Sequence, residues 1–216
     1  MLLPTKRRTI VIVFLLCLPF IIYLLGSLAG LFRQVSIRQF GSYVCCPKVV
    51  SALHISLVTT VTSTILAVLL GLPLAYLLAH HRFRGREILD TLVDLPLVLP
   101  PSAAGLALLM TFGNNGLGGI LDFRFTGATI AVVMAQLFVA SPFFIKQART
   151  GFESVGTNLK LASMTLGASA FRTFFTVTVP LAKRSLIAGA TMTWARALGE
   201  FGATVTFAGA LEGRTE

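Results

Sequence analysis

The chain has 216 residues, of which 55% are hydrophobic and 12% are charged, and its mean hydropathy is +0.85. This composition excludes an ordinary soluble domain, in which about 25% of residues are charged, and indicates an integral membrane protein. The formal net charge of +10 does not indicate a nucleic-acid-binding protein, because the cations are divided among short segments rather than gathered on one soluble face.

Long apolar runs predict an all-α, polytopic transmembrane bundle that forms a single domain, residues 1–216. A bilayer crossing needs about 20 predominantly apolar residues, and the sequence contains five runs of at least that length. The predicted spans are residues 9–32, 49–79, 95–121, 126–145 and 185–211.

The first run is predicted to be a retained anchor rather than a signal peptide. It follows Lys6, Arg7 and Arg8, and Ser27 to Ala29 resemble a small-residue cleavage site. However, the run contains 24 uncharged residues, whereas the apolar core of a signal peptide has about 7–15.

The distribution of lysine and arginine predicts the orientation. With the N-terminus in the cytoplasm, twelve cations fall in cytoplasmic segments, five fall in external loops and Arg196 lies within a span. Because cytoplasmic loops are enriched in Lys and Arg, we predict a multi-pass protein of the inner (plasma) membrane with a cytoplasmic N-terminus. The five external cations are Arg33, Arg38, Lys48, Arg124 and Arg214.

Cysteine and histidine positions predict neither a disulfide nor a metal site. Cys45 and Cys46 are adjacent, a spacing that bridges poorly, so free thiols are expected. His54 in the second span is expected to make a helix contact, and His80 and His81 at its end are expected to anchor it at the interface. Walker A and hydrolase motifs are missing from the sequence, so any ATP hydrolysis would belong to another chain.

Residues 150–184 form a long cytoplasmic interval between the fourth and fifth predicted spans. Thr157 is expected to cap a helix there and Gly167 to end it with a positive φ. A helix of about ten residues is unstable alone in water, so it must pack against membrane helices or in a groove of a partner. The alternative interpretation is an amphipathic helix that lies at the membrane interface without a partner. Apolar residues at spacings of four, three and four predict one helix face: Val155, Leu159, Ala162 and Leu166.

Two segments resemble the cytoplasmic coupling signature of ABC importer permeases, usually written E-A-A-x3-G-x9-I-x-L-P. Residues 161–167 read LASMTLG and residues 177–180 read VTVP. In that family the signature forms a short helix and turn that dock on an ATPase subunit. Because Leu161 and Ser163 replace the Glu and the second Ala, docking is expected to depend on shape and apolar contact.

Residues 90–214 resemble, more specifically, the permease subunit of molybdate-type ABC importers. A decapeptide in the last predicted span is specific for the molybdate and sulfate branch, and a proline-rich run favours molybdate. The segments that carry the resemblance are FRGR (83–86), LPLVLPP (95–101), FESV (152–155), TLGAS (165–169) and ARALGEFGAT (195–204).

The resemblance implies a MetI-like permease fold and a subunit that is not an enzyme. Such a subunit moves molybdate, or a similar tetrahedral oxyanion, into the cytoplasm by alternating access. Sulfate and tungstate are alternative substrates, and a membrane-anchored structural or signalling subunit is the alternative from another class. Because family members continue into one further span, a sixth span is expected to be missing from this chain.

The same resemblance implies the partners. They are the lipid bilayer, a second permease copy forming a homodimer, two ABC ATPase subunits that bind ATP and Mg²⁺, and an extracytoplasmic oxyanion-binding protein. Neither a cofactor, a metal nor a nucleic acid is expected on this chain. ATPase coupling is assigned to Val155, Leu159, Leu161, Ala162, Ser163, Met164, Gly167 and Pro180. Candidates for the translocation path or gate are Pro96, Pro100, Pro101, Arg196, Gly199, Glu200 and Gly202.

Arg196 and Glu200 are notable because ionisable groups at mid-membrane cost about 2.5–3.5 kcal/mol each. Their i, i+4 spacing predicts that they share a helix face. Two roles stay open: an internal clasp that fixes the helix rotation, or a path lining in which Arg196 offers a positive field to an oxyanion. For the second role, Gly199 and Gly202 would permit close helix approach.

Pro96, Pro100 and Pro101 predict a bend in the third span, because proline removes backbone donors and clashes with the preceding turn. The bend is interpreted either as a kink packed by neighbouring helices or as a gating hinge.

Overall fold

The computed structural model describes residues 5–34, 46–120, 125–211 and 215. Throughout this part of the chain the regular secondary structure is helical, which confirms the predicted all-α class. Arg38, Cys45, Arg124 and Arg214, which enter the predictions above, lie outside the described residues. Cys46 is a free thiol, as expected.

The described helices are named here in chain order. They are α1 (Thr5–Gln34), α2 (Pro47–His80), α3 (Arg86–Val98), α4 (Pro101–Phe112), α5 (Leu117–Ile120), α6 (Thr129–Glu153), α7 (Thr157–Thr165), α8 (Ala170–Thr173), a π-helical turn (Phe174–Thr178), α9 (Val179–Leu198) and α10 (Gly202–Ala208).

Three of the described helices are long and apolar enough to cross a membrane, or four spans if α3 to α5 form one bent span. The three lie in α1, α2 and α6. By length and composition alone, the described helices therefore supply fewer than the five predicted spans. Helix α9 has 20 residues but contains Lys183, Arg184 and Arg196, and these three cations lower its hydropathy.

The predicted span 95–121 is bent, as its prolines predict. The chain breaks between α3 and α4, and the two directions differ by 116°. Leu99 is extended (φ −68°, ψ 134°) because the following proline disfavours the α conformation. Pro100 is extended as well, and Pro101 begins α4, a position where a missing N–H costs nothing.

The predicted span 185–211 is also interrupted. Helix α9 begins earlier, at Val179, and ends at Leu198. A short connection of three residues then leads to α10, which starts at Gly202. Gly199 closes α9, and its N–H bonds to the carbonyl of Ala195.

The chain divides into two compact units, residues 1–50 and 51–216. In the first unit, α1 contains a 22-residue apolar stretch, Thr9–Gly30, which is long enough to cross a bilayer. In the second unit, one buried cluster joins α2, α6 and α9 and includes Ala75, Phe144 and Ala182. A second cluster joins α4, α6 and α10 and includes Ala104, Val139 and Phe207.

Glycines allow the helices of the second unit to pack closely. A Cβ on Gly151 of α6 would lie 2.5 Å from Ser185 Cβ of α9, and a Cβ on Gly105 of α4 would lie 2.7 Å from the Ala203 carbonyl oxygen. Such contacts suit a lipid environment, where helix association depends on van der Waals packing rather than on the hydrophobic effect.

Candidate coupling segment and translocation-path residues

Helix α7 is the short helix that the sequence predicts between the fourth and fifth apolar runs. It has nine residues, close to the expected ten. The predicted cap is wrong, however: Gly156 is the N-cap and Thr157 is the first helical residue. Gly156 has no side chain, so the first turn of α7 lacks a side-chain acceptor for its free N–H groups.

Gly167 ends this helix in the predicted conformation, with φ +87°. The Gly167 N–H bonds to the Met164 carbonyl at 3.0 Å, and the Ala168 N–H bonds to the Ser163 carbonyl at 3.2 Å. This pair of bonds is a Schellman motif, which satisfies carbonyls that a helix end otherwise leaves free. The turn therefore sets the direction in which the chain leaves α7.

The predicted apolar face of α7 does not pack against the membrane helices and is exposed in the described structure. Leu159 is 53% exposed and Leu166 is 88% exposed. Val155 does not belong to this face, because it precedes the helix and is buried at 6% exposure beside Phe152. The exposed large apolar side chains between residues 157 and 175 are Leu159, Leu161, Met164, Leu166, Phe171 and Phe175.

Two polar side chains attach one flank of α7 to neighbouring elements. The Lys160 ammonium bonds Nε2 of His80 at the end of α2, and burial lowers the pKa of that ammonium. The Ser163 hydroxyl lies 3.1 Å from the hydroxyl of Thr173. Ser163, which departs from the permease signature, thus ties α7 to α8 by a bond that alanine cannot make.

Aromatic rings connect the Lys160–His80 contact to the helix bundle. The Tyr76 ring centroid lies 4.4 Å from His80, 5.6 Å from Phe152 and 4.8 Å from Phe174. These residues come from α2, α6 and the π-helical turn. A displacement of α7 would therefore push on packed aromatic side chains from all three of these elements.

Pro180, the end of the signature, is the second residue of α9 and lies inside a continuous helical run. The proline ring clashes with a carbonyl four residues earlier, which is that of Thr176. The backbone widens directly before it, where the Val179 N–H bonds to the Phe174 carbonyl five residues back. Such a π-helical turn accommodates a disturbed hydrogen-bond ladder, so α8 and α9 form one helical path.

Arg196 and Glu200 form the expected ion pair, but not on one helix. Arg196 Nη2 lies 2.5 Å from Glu200 Oε2, and the Glu200 side chain is only 1% exposed. Glu200 lies beyond the end of α9, in the break before α10. Its other oxygen, Oε1, accepts the Ala203 N–H at 2.8 Å. Glu200 therefore joins the end of α9 to the start of α10.

The two glycines of this segment differ in their surroundings. A Cβ on Gly202 would lie 2.8 Å from Pro101 Cβ, whereas a Cβ on Gly199 would meet only carbonyls of its own helix, at 3.8 and 3.9 Å. Close approach is therefore needed at Gly202, where α10 meets α4. At Gly199, no other described helix comes close enough to require a glycine.

Gly202→Ala is expected to lower the free energy of unfolding by about 1–3 kcal/mol, because the new methyl group overpacks against a rigid proline ring. Gly199→Ala is the matched control, since both changes restrict the unfolded chain equally. Thermal unfolding of the purified protein in detergent measures both. Equal midpoints for the two variants would contradict the close contact with Pro101.

Residues 67–213 match the family described as the binding-protein-dependent transport system inner membrane component. The chain belongs to this family. It is 43% identical over 186 residues to a probable molybdenum ABC transporter permease protein of Haloferax volcanii, with 86% of this chain and 69% of that protein covered.

Two further relatives bear on the substrate class. The molybdate/tungstate transport system permease protein WtpB of Pyrococcus furiosus is 44% identical, with 75% of this chain and 61% of the relative covered. The sulfate transport system permease protein CysT of Salmonella typhimurium is 34% identical, with 89% and 71% covered. The aligned part thus spans less than two thirds of the Pyrococcus protein.

The structure of this inner membrane component adds a cavity with several polar side chains in its walls, which sequence reasoning missed. It has a volume of about 290 Å³, and its walls include Thr59, Gln136, Glu200 and Thr204. Gln136 Nε2 donates to the Thr59 hydroxyl at 3.3 Å, whereas Gln136 Oε1 has no partner in the described residues. An amide inside an apolar run was the available signal, because buried polar groups in a bilayer need partners.

A charge network between α3 and α6 was also missed. Arg149 Nη1 donates to both carboxylate oxygens of Asp90, at 2.7 and 2.8 Å, and Arg149 Nε donates to Glu153 at 2.8 Å. Lys146 lies 2.8 Å from Asp94. The i, i+4 spacing of the two aspartates and the i, i+3 spacing of the two cations were the signals, because each pair shares a helix face.

Proposed function

We propose that this chain is the permease subunit of an ATP-driven importer that translocates molybdate or a similar tetrahedral oxyanion into the cytoplasm. Family membership supports the transport role, and the names of two relatives supply the substrate class. The observation that carries the coupling role is helix α7, which exposes apolar side chains and ends in the Gly167 turn at the position of the permease signature.

Helix α7 is the proposed docking element for a separate ATPase subunit. Leu159, Leu161 and Met164 are each about half exposed, and such apolar side chains suit a hydrophobic groove on a partner. Leu161 cannot form the ion pair that a glutamate would, so docking depends on apolar contact. ATP and Mg²⁺ would bind the partner.

The bond between Lys160 and His80 provides a route for motion from α7 to α2. The aromatic cluster around Tyr76 extends this route to α6. Nucleotide binding would move α7, and these contacts would carry the displacement into the membrane helices. A change of this kind requires the nucleotide to bind the two conformations with different affinity.

The proposed translocation path lies between two copies of the permease. Arg196 keeps 28% of its side chain exposed while Glu200 holds one part of the guanidinium. A guanidinium has five N–H donors, so the clasp and the positive field toward an oxyanion are compatible. The charge distribution supports a cytoplasmic N-terminus and an external site for an oxyanion-binding protein.

Crosslinking tests the docking role. Leu159→Cys or Met164→Cys, introduced after the native cysteines are replaced by serine, is expected to capture a co-expressed ATPase subunit. Leu106→Cys on α4, which is also about half exposed, is the control and is expected to capture none. Capture at Leu106 alone, or labelling of α7 only from outside the cell, would exclude α7 as the ATPase contact.

Uptake by proteoliposomes tests the substrate class. ATP-dependent molybdate uptake that is inhibited by tungstate is the expected result. Stronger inhibition by sulfate would assign the sulfate class, which the similarity to CysT supports as the second candidate. A complex without ATP-dependent uptake of any of these anions would favour the structural or signalling alternative.

A further inference from the structure

Two of the acidic side chains of helix α3 pair with cations of the bundle. Asp90 pairs with Arg149 at 2.7 Å, and Asp94 pairs with Lys146 at 2.8 Å, both on α6. Val93 is buried on the same side. Asp90 and Asp94 are therefore paired with cations of α6, whereas Glu87 in the first turn of α3 is exposed.

The opposite side of α3 is apolar and exposed. Ile88, Leu92 and Leu95 are 68%, 58% and 47% exposed and recur at spacings of four and three, so they form one stripe along the helix. A water-soluble amphipathic helix has the reverse arrangement, with its apolar face buried and its charges outside. The outer side of α3 thus fits hydrocarbon better than water.

The loop before α3 is basic. Arg82 and Arg84 are exposed, and within the described residues neither forms an ion pair or a hydrogen bond. Arg86 differs, since its Nε donates to the Leu78 carbonyl at 3.1 Å. Gly85, with φ +93°, turns the chain here, and residues 82–88 line a cavity of about 470 Å³. Its walls hold three arginines and one carboxylate, that of Glu87.

We propose that this loop and the exposed side of α3 bind an anionic phospholipid. The Ile88, Leu92 and Leu95 stripe contacts acyl chain, and the guanidinium groups of Arg82 and Arg84 hold the headgroup phosphate. Arginine forks match phosphate oxygens in geometry and charge. The 116° bend between α3 and α4 lets α3 lie along the bilayer surface while α4 enters it. This lipid site is independent of the transported anion and of the ATPase.

Binding of phosphatidylglycerol to the full chain in neutral detergent tests the site, with phosphatidylcholine as the uncharged comparison. The double variant R82Q/R84Q is expected to bind phosphatidylglycerol roughly thirtyfold more weakly, because each basic residue near an anionic surface contributes about a factor of five. Phosphatidylcholine binding should not change. The matched control is K183Q/R184Q, which removes two exposed cations from the start of α9.

Three results would overturn the lipid site: equal weakening in both double variants, equal affinity of the wild type for the two lipids, or displacement of phosphatidylglycerol by millimolar inorganic phosphate. Loss of self-association in R82Q/R84Q without loss of lipid would assign the surface to a second copy instead.

A second measurement does not depend on the arginines. Leu92→Trp in a Trp194→Phe background places the sole tryptophan on the stripe. Its fluorescence should be quenched by brominated phosphatidylglycerol more than by brominated phosphatidylcholine. A tryptophan at Leu92 that neither lipid quenches would show that α3 does not contact acyl chains.

Discussion

Glu200→Ala is expected to lower the free energy of unfolding by about 3–5 kcal/mol, the range for removing one partner of a buried ion pair. The carboxylate is 1% exposed and accepts from Arg196 at 2.5 Å and from the Ala203 N–H at 2.8 Å. Alanine leaves the guanidinium without its counter-ion and the N–H without an acceptor. Thermal unfolding in detergent and the yield of assembled protein measure the loss.

Three further variants separate the parts of this contact. Glu200→Gln keeps an acceptor for Ala203 and loses the charge, so an intermediate loss is expected. The double variant R196M/E200M removes both charges and should recover part of the stability. Glu87→Ala changes an exposed glutamate and should be neutral. Equal midpoints for Glu200→Ala and Glu87→Ala would show that the clasp does not stabilise the break between α9 and α10.

Gly167→Val is expected to reduce transported anion per ATP hydrolysed more than it reduces protein stability. A non-glycine residue at φ +87° costs about 1–2 kcal/mol, and the branched Cβ of valine increases the strain. Relief of that strain opens the Schellman turn and changes the path from α7 to α8. The assembled transporter in proteoliposomes, with ATP hydrolysis and uptake recorded together, measures the ratio.

The turn has two matched controls. Gly156→Val lies at the other end of α7, with φ −56° and open space around its Cβ, and should leave coupling unchanged. Gly167→Asn should retain most of it, because asparagine adopts the left-handed conformation more readily than valine. Full coupling in Gly167→Val, or an equal defect in Gly156→Val, would show that the left-handed turn does not transmit the motion.

Several features of the candidate site could be predicted because they depend on nearby residues. The length of α7 and the positive φ of Gly167 follow from the local pattern, since a helix end needs a residue that tolerates the left-handed region. The pairing of Arg196 with Glu200 follows from a separation of four residues. Membership of the transport family is likewise visible in the short motifs of residues 161–167 and 195–204.

Other features stayed open because a periodic pattern does not say what lies opposite it. The sequence left open whether membrane helices or a partner hold α7. In the structure Leu159 is exposed, whereas Lys160 and Ser163 find partners 80 and 10 residues away. The prolines of the third apolar run were recognised as a bend. The 116° change of direction, however, depends on packing of α3 against α6.

The sequence by itself determined the membrane class, the helical fold, the family and the local turn at Gly167. The tertiary structure decided which charges meet. Arg149 pairs with Asp90 across 59 residues, and Gln136 reaches Thr59 across 77. Such contacts depend on how helices rotate and approach, which is set by close packing at small residues such as Gly151 and Gly202. Hydropathy averages over a window and does not contain that information, whereas a local turn depends only on its own few residues.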